Sequence, residues 1–243
     1  MQYNIQNFMS LASTQTSLIQ ADKIQEMNEG SVFVAQSQTK GKGQAANIWE
    51  SEDYKNLTFS LLLRPLFIKP SEQFSLTQIL SLSVVDFLKK YVNEEFIKIK
   101  WSNDIYIKGN KICGILIQNN IIGEEFSKAF CGIGLNVNQT RFKHVPNPTS
   151  LALETGKTQD LNVLLRELLN CIAFRYESFR INPDMNEEYL DCLLYMNELR
   201  DYIYKSKRIR AKIIGVNHYG ALCLEQMNGQ VIEAEQKEVI FLH

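Results

Sequence analysis

The stretch Phe96–Gln118 reads FIKIKWSNDIYIKGNKICGILIQ, and it carries the strongest fold signal in the chain. Its first six residues alternate in polarity, as the residues of a half-buried β-strand do. Two further apolar runs, Ile105–Ile107 and Ile112–Gln118, flank the sequence KGN at 108–110, a turn signal typical of a β-hairpin. The stretch therefore predicts three consecutive strands joined by short turns.

Segments on either side of this stretch predict further strands and helices. Apolar runs at Ser31–Gln36, Asn56–Arg64 and Phe126–Asn138 are typical of buried strands. The clearest helix is predicted over residues 71–92, where apolar residues recur every three or four positions. Further helices are predicted at 14–28 (after a cap at Ser13 or Thr14), 161–179 and 186–197.

The last part of the chain has a different pattern. Four short strands are predicted at 208–216, 221–226, 231–235 and 239–242, with turn sequences at 217–220 and 228–229. A segment of about 45 residues cannot build a large core of its own. We therefore expect a small β-barrel packed on a main domain, with the boundary near residue 199. The predicted domains are residues 1–198 and 199–243.

Composition excludes several classes of protein. The 243 residues carry a net charge of −1, which is unlike the basic face of a nucleic-acid-binding protein. No apolar stretch approaches the ~20 residues of a membrane helix, and residues 1–18 lack a signal-peptide pattern. The five cysteines are odd in number and form no CxxC pair, which argues against a disulfide framework or zinc ribbon. We expect a cytoplasmic protein without nucleic-acid or membrane partners.

The polar loop Ser37–Asn47 contains Gly41, Lys42 and Gly43 after a predicted strand. Glycines allow close approach of the backbone to a ligand, and lysine supplies charge to a phosphate or carboxylate. A solvated, flexible loop is the alternative. The GxxxxGK[ST] phosphate motif is absent from the chain. Residues 41–46 formally match the dinucleotide motif GxGxx[GA], but a second strand follows instead of the required helix.

A second group of candidate residues lies in the stretch quoted first. Asn103 and Asp104, between two predicted strands, can bind a ribose or hydrated Mg²⁺. Lys111 lies on the next strand, and the missing side chain at Gly114 would let a flat ligand lie against the sheet. The alternatives are an ordinary turn for Asn103 and Asp104 and a solvent-facing strand lysine for Lys111.

Together these segments carry a family resemblance, because six of them occur in one order. They are Ser13-Thr14, QTKGKG at 38–43, Trp49, KWSND at 100–104, KICGIL at 111–116 and GIGLNVN at 132–138. In this order they resemble the catalytic domain of biotin–protein ligases, the biotin–[acetyl-CoA-carboxylase] ligases. The resemblance covers residues 11–155, and it continues more weakly to the C-terminus. Because it begins at residue 11, we expect the monofunctional type without an N-terminal DNA-binding domain.

The resemblance implies an α+β fold and a set of site residues. The fold is a mixed β-sheet flanked by helices, the biotin/lipoate ligase catalytic fold, with a small C-terminal SH3-like β-barrel. The implied catalytic residues are Lys111 and Lys42. Implied biotin-binding residues are Ser13, Thr14, Gln15, Gln38, Gly41, Lys42, Gly43, Trp49, Lys111, Gly114 and Ile115. Implied nucleotide-binding residues are Lys42, Gln44, Asn103, Asp104 and Asn136.

The implied activity is formation of biotinyl-5′-AMP from biotin and ATP, followed by transfer of biotin to a lysine of a biotin carboxyl carrier domain. Mg²⁺ would accompany ATP, biotin is a substrate, and the sequence leaves the metal ligands open. A homodimer is left open, and no repressor function is expected. Lys42 and Gln44 stand where the family usually has arginines, so a non-catalytic biotin or nucleotide sensor is one alternative. A lipoate-type ligase of the same superfamily is another.

Overall fold

A computed structural model describes residues 1–43, 47–123 and 125–242. Its main feature is a seven-stranded sheet with the spatial order β1-β2-β3-β7-β6-β5-β4. The strands are β1 Asn4–Phe8, β2 Ser31–Ala35, β3 Leu57–Leu63, β4 Ile97–Lys100, β5 Asp104–Ile107, β6 Asn110–Ile122 and β7 Glu125–Leu135. Strands β1 and β2 pair in parallel and all other neighbours pair antiparallel, so the sheet is mixed as predicted.

Helices cover both faces of this sheet, which confirms the predicted α+β architecture. Successive strand residues point to opposite faces. Val32 and Leu61 accordingly join the large core, whereas Phe33 and Leu62 join a smaller cluster around Leu18. Leu18 belongs to α1 (Thr14–Ile24), which packs on β2, β3 and β7. The short helix α3 (Leu151–Thr155) follows β7 in the chain. Helix α2 (Phe74–Leu88) packs on β4, β5 and β6 and contacts α4 (Leu161–Ile181) and α5 (Asn186–Asp191).

Helix α2 lies in the centre of the core, and nearly all its side chains are buried. A helix that is apolar on most of its circumference needs neighbours on all sides, which the sheet and α4 provide. It is shorter than the predicted 71–92, because Pro70–Glu72 form a 3₁₀ turn before it and Lys89 closes its last turn. No helix in the described ranges combines the length and apolarity needed to span a bilayer.

The predicted hairpin is formed by β5 and β6. Its turn residues Lys108 and Gly109 have φ values of 50° and 79°, the conformation of a tight hairpin turn. Strand β6 extends beyond the predicted Gln118 because it pairs with β7 as far as Ile122. This hairpin and β7 bring Asp104, Lys111 and Gly114 to one region of the sheet.

A second, antiparallel sheet at the C-terminus has the order β11-β10-β9-β8-β12. Its strands are β8 Leu199–Tyr204, β9 Lys207–Val216, β10 Leu222–Gln226, β11 Val231–Ala234 and β12 Val239–Phe241. The predicted SH3-like barrel is corrected here, because within the described residues the sheet is open. Closure requires hydrogen bonds between the two edge strands, and β11 and β12 are instead held on opposite edges by β10 and β8.

The second sheet packs beside the turn between β4 and β5. The indole nitrogen of Trp101 donates a hydrogen bond to the carbonyl oxygen of Gly220 at 3.1 Å, and the amide of Gln236 donates to the hydroxyl of Ser102. Gly220 has a φ of 92°, and a β-carbon added there would lie 2.4 Å from the ring of Phe74. The second sheet therefore approaches closely the segment that leads into β5.

Candidate ligand-binding site

A cavity of about 140 Å³ lies where the N-terminus of α1, the loop before Trp49 and strands β3, β5, β6 and β7 meet. Eleven of the residues predicted from the sequence line it: Ser13, Thr14, Gln15, Gln38, Lys42, Gly43, Trp49, Asp104, Lys111, Gly114 and Ile115. Residues from five separate segments of the chain are thus brought into one site by the fold.

Polar groups at the start of α1 line one end of the cavity. Ser13 caps the helix by accepting a hydrogen bond from the backbone N–H of Thr16. The backbone N–H of Thr14 donates to the side-chain oxygen of Gln38 at 2.8 Å, and the Thr14 hydroxyl lies 2.8 Å from that of Ser60. Ser13 and Thr14 are almost fully buried, so these groups form a pre-arranged polar end to the cavity.

Gln15 completes this polar end from the next position of the helix. Its amide nitrogen donates to the carbonyl oxygen of Phe130 at 3.2 Å. A β-carbon added at Gly132 would lie 2.3 Å from the Gln15 side-chain oxygen. Glycine at position 132 is therefore required for the side chain of Gln15 to lie against β7.

The indole of Trp49 lies across a pair of glycines on neighbouring strands. Gly114 of β6 and Gly134 of β7 are direct cross-strand partners. Added β-carbons would lie 2.9 Å from Trp49 Cζ3 at position 114 and 2.3 Å from Trp49 Cε2 at position 134. The ring can lie this close to the sheet because both of these positions lack a side chain.

Backbone pairing between residues 41–43 and 47–49 places Trp49 on these glycines. The backbone N–H of Trp49 donates to the carbonyl oxygen of Gly41 at 3.1 Å, and that of Gly43 donates to the carbonyl oxygen of Asn47 at 2.7 Å. Lys42 pairs with Ile48 in an isolated antiparallel bridge. Gly41 is buried beneath this loop and Lys42 is exposed at the cavity rim; Gln44 lies outside the described residues.

Lys111 and Asp104 form an ion pair at the other end of the cavity. The Lys111 ammonium nitrogen is 2.6 Å from Asp104 Oδ2, and it lies 5.7 Å from the centroid of the Trp49 ring. The two residues are brought together by the hairpin, whose register shifts between Ile105 and Tyr106. Both side chains are partly exposed, so the ammonium group remains accessible to an anion in the cavity.

The other two described nucleotide-site candidates do not line this cavity. Asn103 is buried, its amide donates to the carbonyl oxygen of Ile115 at 2.6 Å, and it borders two other cavities near the second sheet. Asn136 is also buried, and its amide donates to the carbonyl oxygen of Thr149 at 3.0 Å. The side-chain oxygen of Asn136 has no hydrogen-bond partner. An unpaired buried acceptor of this kind is uncommon and suits a ligand that brings a donor.

Sequence reasoning missed several residues of the cavity wall. These are Asn47, Ile48, Phe59, Ser60, Leu116, Gly132, Ile133 and Gly134. Ser60 could have been found as a polar residue inside the apolar strand NLTFSLLLR at 56–64. The glycines could have been found from their spacing of two in GIGLNVN, which places both on one face of a strand. The remaining residues carry no local signal.

Within the described residues no group of three or more His, Cys, Asp or Glu side chains could hold a metal ion. Asp104 is the acidic side chain that lines the described part of the cavity. A metal that enters this site would therefore depend on ligands supplied by a bound substrate, with Asp104 as the side chain available to it.

Comparison with known proteins gives a consistent set of relatives. The sequence profile of the "Biotin/lipoate A/B protein ligase family" matches residues 8–136. The bifunctional ligase/repressor BirA of Bacillus subtilis is 29% identical over 214 residues, which are 83% of this chain and 63% of that protein. The biotin–[acetyl-CoA-carboxylase] ligase of Mycobacterium tuberculosis is 25% identical over 88% of this chain and 80% of its own length. The chain thus spans less than two thirds of the length of the first of these relatives.

The solved structures show the same similarity. A biotin protein ligase from Aquifex aeolicus, determined in complex with biotin and ATP, superimposes with a TM-score of 0.80. It is 26% identical, and the match covers 99% of each chain. The similarity therefore extends over both sheets of the present structure.

Proposed function

Because the chain belongs to the biotin/lipoate A/B protein ligase family, we propose that it activates biotin with ATP and then transfers biotin to a lysine of a biotin carboxyl carrier domain. One observation carries the proposal. The cavity combines a buried polar end, an aromatic wall and a cation, the Lys111 ammonium, within one site. Biotin has the matching parts: a polar ureido head, an apolar body and a carboxylate.

Each part of the cavity has a role in this proposal. The hydroxyl and amide groups of Ser13, Thr14 and Gln38 hold the ureido head, and Trp49 covers the apolar body. The carboxylate of biotin then points to Lys111. Binding of this kind fixes the reacting group in position, which removes part of the entropic barrier to a reaction between two substrates.

Activation by ATP is needed because a free carboxylate does not acylate an amine at neutral pH. In the proposed first step, the biotin carboxylate attacks the α-phosphorus and pyrophosphate leaves. Negative charge increases around that phosphorus, and Lys111 and Lys42 are the cations available to stabilise it. In the second step the acceptor lysine attacks the mixed anhydride and AMP leaves. Neither step needs a covalent bond to the protein.

The nucleotide is proposed to bind on the Asp104 and Asn136 side of the cavity. The unpaired side-chain oxygen of Asn136 can accept a hydrogen bond from the amino group of a nucleotide base. Mg²⁺ is proposed to enter with the phosphates of ATP, where it would neutralise phosphate charge. Asp104 is the carboxylate that would reach it.

We propose ligase activity without a repressor function, in a reducing compartment such as the cytoplasm. The net charge of −1 supports the absence of a repressor function, since DNA-binding proteins usually carry a basic face. All five cysteines are free thiols, which supports a reducing compartment.

A homodimer is also part of the proposal, with the outer edge of β6 as its contact surface. The pairing of β6 with β5 ends at Cys113, whereas its pairing with β7 continues to Ile122. Open strand edges of this length can pair with a second chain. Light scattering after size-exclusion chromatography, with and without biotin and ATP, tests this. A monomer mass under every condition would contradict it.

The decisive experiment measures transfer of labelled biotin to a carrier domain in the presence of ATP and Mg²⁺. We expect Lys111→Ala to lower the rate of transfer by about 10²- to 10³-fold, because a preorganised charged donor contributes this much. Lys108→Ala, three residues away on the exposed hairpin turn, is the matched control and should act like wild type.

Two results of this experiment would contradict the proposal. Preference for lipoate over biotin, measured by repeating the assay with labelled lipoate and a lipoyl domain, would favour a lipoate-type ligase. Biotin binding without any labelled carrier or adenylate would favour a non-catalytic sensor. The substitutions Lys42→Arg and Gln44→Arg would then be tested first.

A further inference from the structure

Lys100, at the end of β4, is a half-buried lysine without a carboxylate partner in the described part of the chain. Its cross-strand partner is Asp104. The carboxylate of Asp104, however, is bound by Lys111 at 2.6 Å. Lys111 thus binds the carboxylate that is the cross-strand neighbour of Lys100, and Lys100 has no ion pair within the described residues.

Two aromatic rings surround the Lys100 ammonium group instead. Its nitrogen lies 5.5 Å from the centroid of Tyr106 on β5 and 5.2 Å from the centroid of Phe241 on β12. Aromatic faces stabilise a cation without neutralising its charge. Burial is the largest cause that holds the pKa of Lys100 below its usual range; Lys111 lowers it further, and Asp104 acts in the opposite direction. The positive charge is therefore kept in place and is balanced only in part, by Asp104, the carboxylate that Lys111 already binds.

The Lys100 side chain borders a cavity of about 210 Å³ between the two sheets. Asn103, Asp104 and Gln236 also line this cavity. Asp104 lines the substrate cavity as well, so the two cavities lie on either side of one carboxylate. An anion that extends from Lys111 past Asp104 would reach Lys100 next.

We infer that Lys100 binds the outer phosphates of the nucleotide and the pyrophosphate formed from them. This inference rests on the proposed function. When the biotin carboxylate oxygen bonds to the α-phosphorus, the bond from that phosphorus to the bridging oxygen breaks. The electron pair stays on the bridging oxygen, which leaves as part of pyrophosphate. In this inference Lys111 stabilises the charge at the α-phosphorus, and Lys100 stabilises the charge on the departing pyrophosphate.

A bound phosphate would explain why the Lys100 cation lies in this partly buried position. A buried charge without a counter-ion is unfavourable, unless a bound ligand supplies the opposite charge. The second sheet contributes Phe241 to the position of Lys100 and Gln236 to the cavity wall. The leaving-group site would therefore be completed by the C-terminal part of the chain.

The test compares Lys100→Met with Lys98→Met in the full chain. Lys98 lies two residues earlier on the same strand, and its ammonium group donates to the carbonyl oxygen of Asp191. Calorimetry is used to measure the binding of pyrophosphate, ATP, AMP and biotin. We expect Lys100→Met to weaken pyrophosphate and ATP binding about tenfold or more, since hydrogen bonds to charged groups contribute this much. AMP and biotin should bind as they do to wild type.

Three further readouts separate the alternatives. Lys100→Arg should restore pyrophosphate binding in part, and the KM for pyrophosphate in ATP–pyrophosphate exchange should rise in Lys100→Met. Unchanged pyrophosphate affinity, or equal weakening of all four ligands with a lower melting temperature, would overturn the inference in favour of a packing role. A wild-type protein that binds pyrophosphate but not biotin would contradict the proposed function and leave the role of Lys100 intact.

Discussion

The absence of a β-carbon at two glycines determines the position of the Trp49 ring in the site. The ring lies on Gly114 and Gly134, and any side chain at either position would occupy the same space. The indole nitrogen of Trp49 is buried and has no hydrogen-bond partner. The glycine pair therefore determines where the Trp49 ring lies, although glycine has no side chain that could contact a ligand.

Gly134→Ala tests this arrangement. The new methyl group would lie 2.3 Å from Trp49 Cε2, so the ring must move. We expect biotin affinity to fall about tenfold or more, since overpacking of this kind costs roughly 1–3 kcal/mol. Calorimetry and tryptophan fluorescence measure the affinity and the ring's environment. Gly215→Ala is the control, because a β-carbon there meets no atom within 4 Å. Equal biotin affinity in the two variants would refute the role of the glycine pair.

Asp104→Asn tests the counter-ion of Lys111. Loss of the carboxylate removes the ion pair at 2.6 Å and leaves Lys111 free to turn away from the cavity. We expect adenylate formation to slow by about tenfold to a hundredfold, which corresponds to a charged hydrogen bond of ~1.5–3 kcal/mol. Rapid-quench kinetics measure it, with the remote Asp201→Asn as control. A normal rate would show that Lys111 is positioned by other contacts.

At the scale of elements, a buried ion pair joins α1 to β7. The Lys128 ammonium group contacts Asp22 at 2.9 Å, and both side chains are largely buried. Burial by itself raises the pKa of Asp22, but the backbone N–H of Met27 and the Lys128 cation outweigh it, so the pKa is lower than usual. A lowered folded-state pKa means that the pair stabilises the fold above the carboxyl's ordinary pKa. This stability is lost as pH falls through the folded value.

Asp22→Asn should therefore destabilise the protein at neutral pH and less so in acid. We expect a loss of about 1–3 kcal/mol at pH 7, because Lys128 is left without its nearest buried partner. Urea unfolding at neutral pH and below the ordinary carboxyl range measures the difference. Asp201→Asn breaks a solvent-exposed pair with Arg208 and should leave stability nearly unchanged at either pH, because solvent screens such pairs. A loss in Asp22→Asn that is independent of pH would contradict the assignment to the ion pair.

At the scale of the whole molecule, the second sheet is attached through a close approach at Gly220. Gly220→Ala would place a methyl group 2.4 Å from the ring of Phe74 and would also strain a φ of 92°. Gly229→Ala is the matched control, since its φ of 82° is equally strained but its surroundings are open. We expect Gly220→Ala to lower stability by a further ~1–3 kcal/mol relative to the control. Equal melting temperatures would show that the second sheet and helix α2 are not tightly packed at this point.

Much of the local structure could be predicted from periodicity, and the misses share a physical cause. The hairpin β5–β6 and helices α2 and α4 have strong apolar patterns. Strands β1 and β8 were missed, because β1 is a half-exposed edge strand and β8 has few fully buried residues. The short helix α3 (Leu151–Thr155) was missed as well, since five residues are too few to show a period.

The sequence by itself determined the classes of element, the hairpin turn and the ordered segments from which eleven cavity residues were predicted. These features depend on short-range properties: side-chain periodicity, turn conformations and the spacing of glycines. Only the tertiary structure decided that β7 lies between β3 and β6, that the second sheet stays open and that Lys111 holds Asp104 while Lys100 lies between two rings. These features depend on pairing between residues far apart in the chain, and no local pattern records which partners will meet.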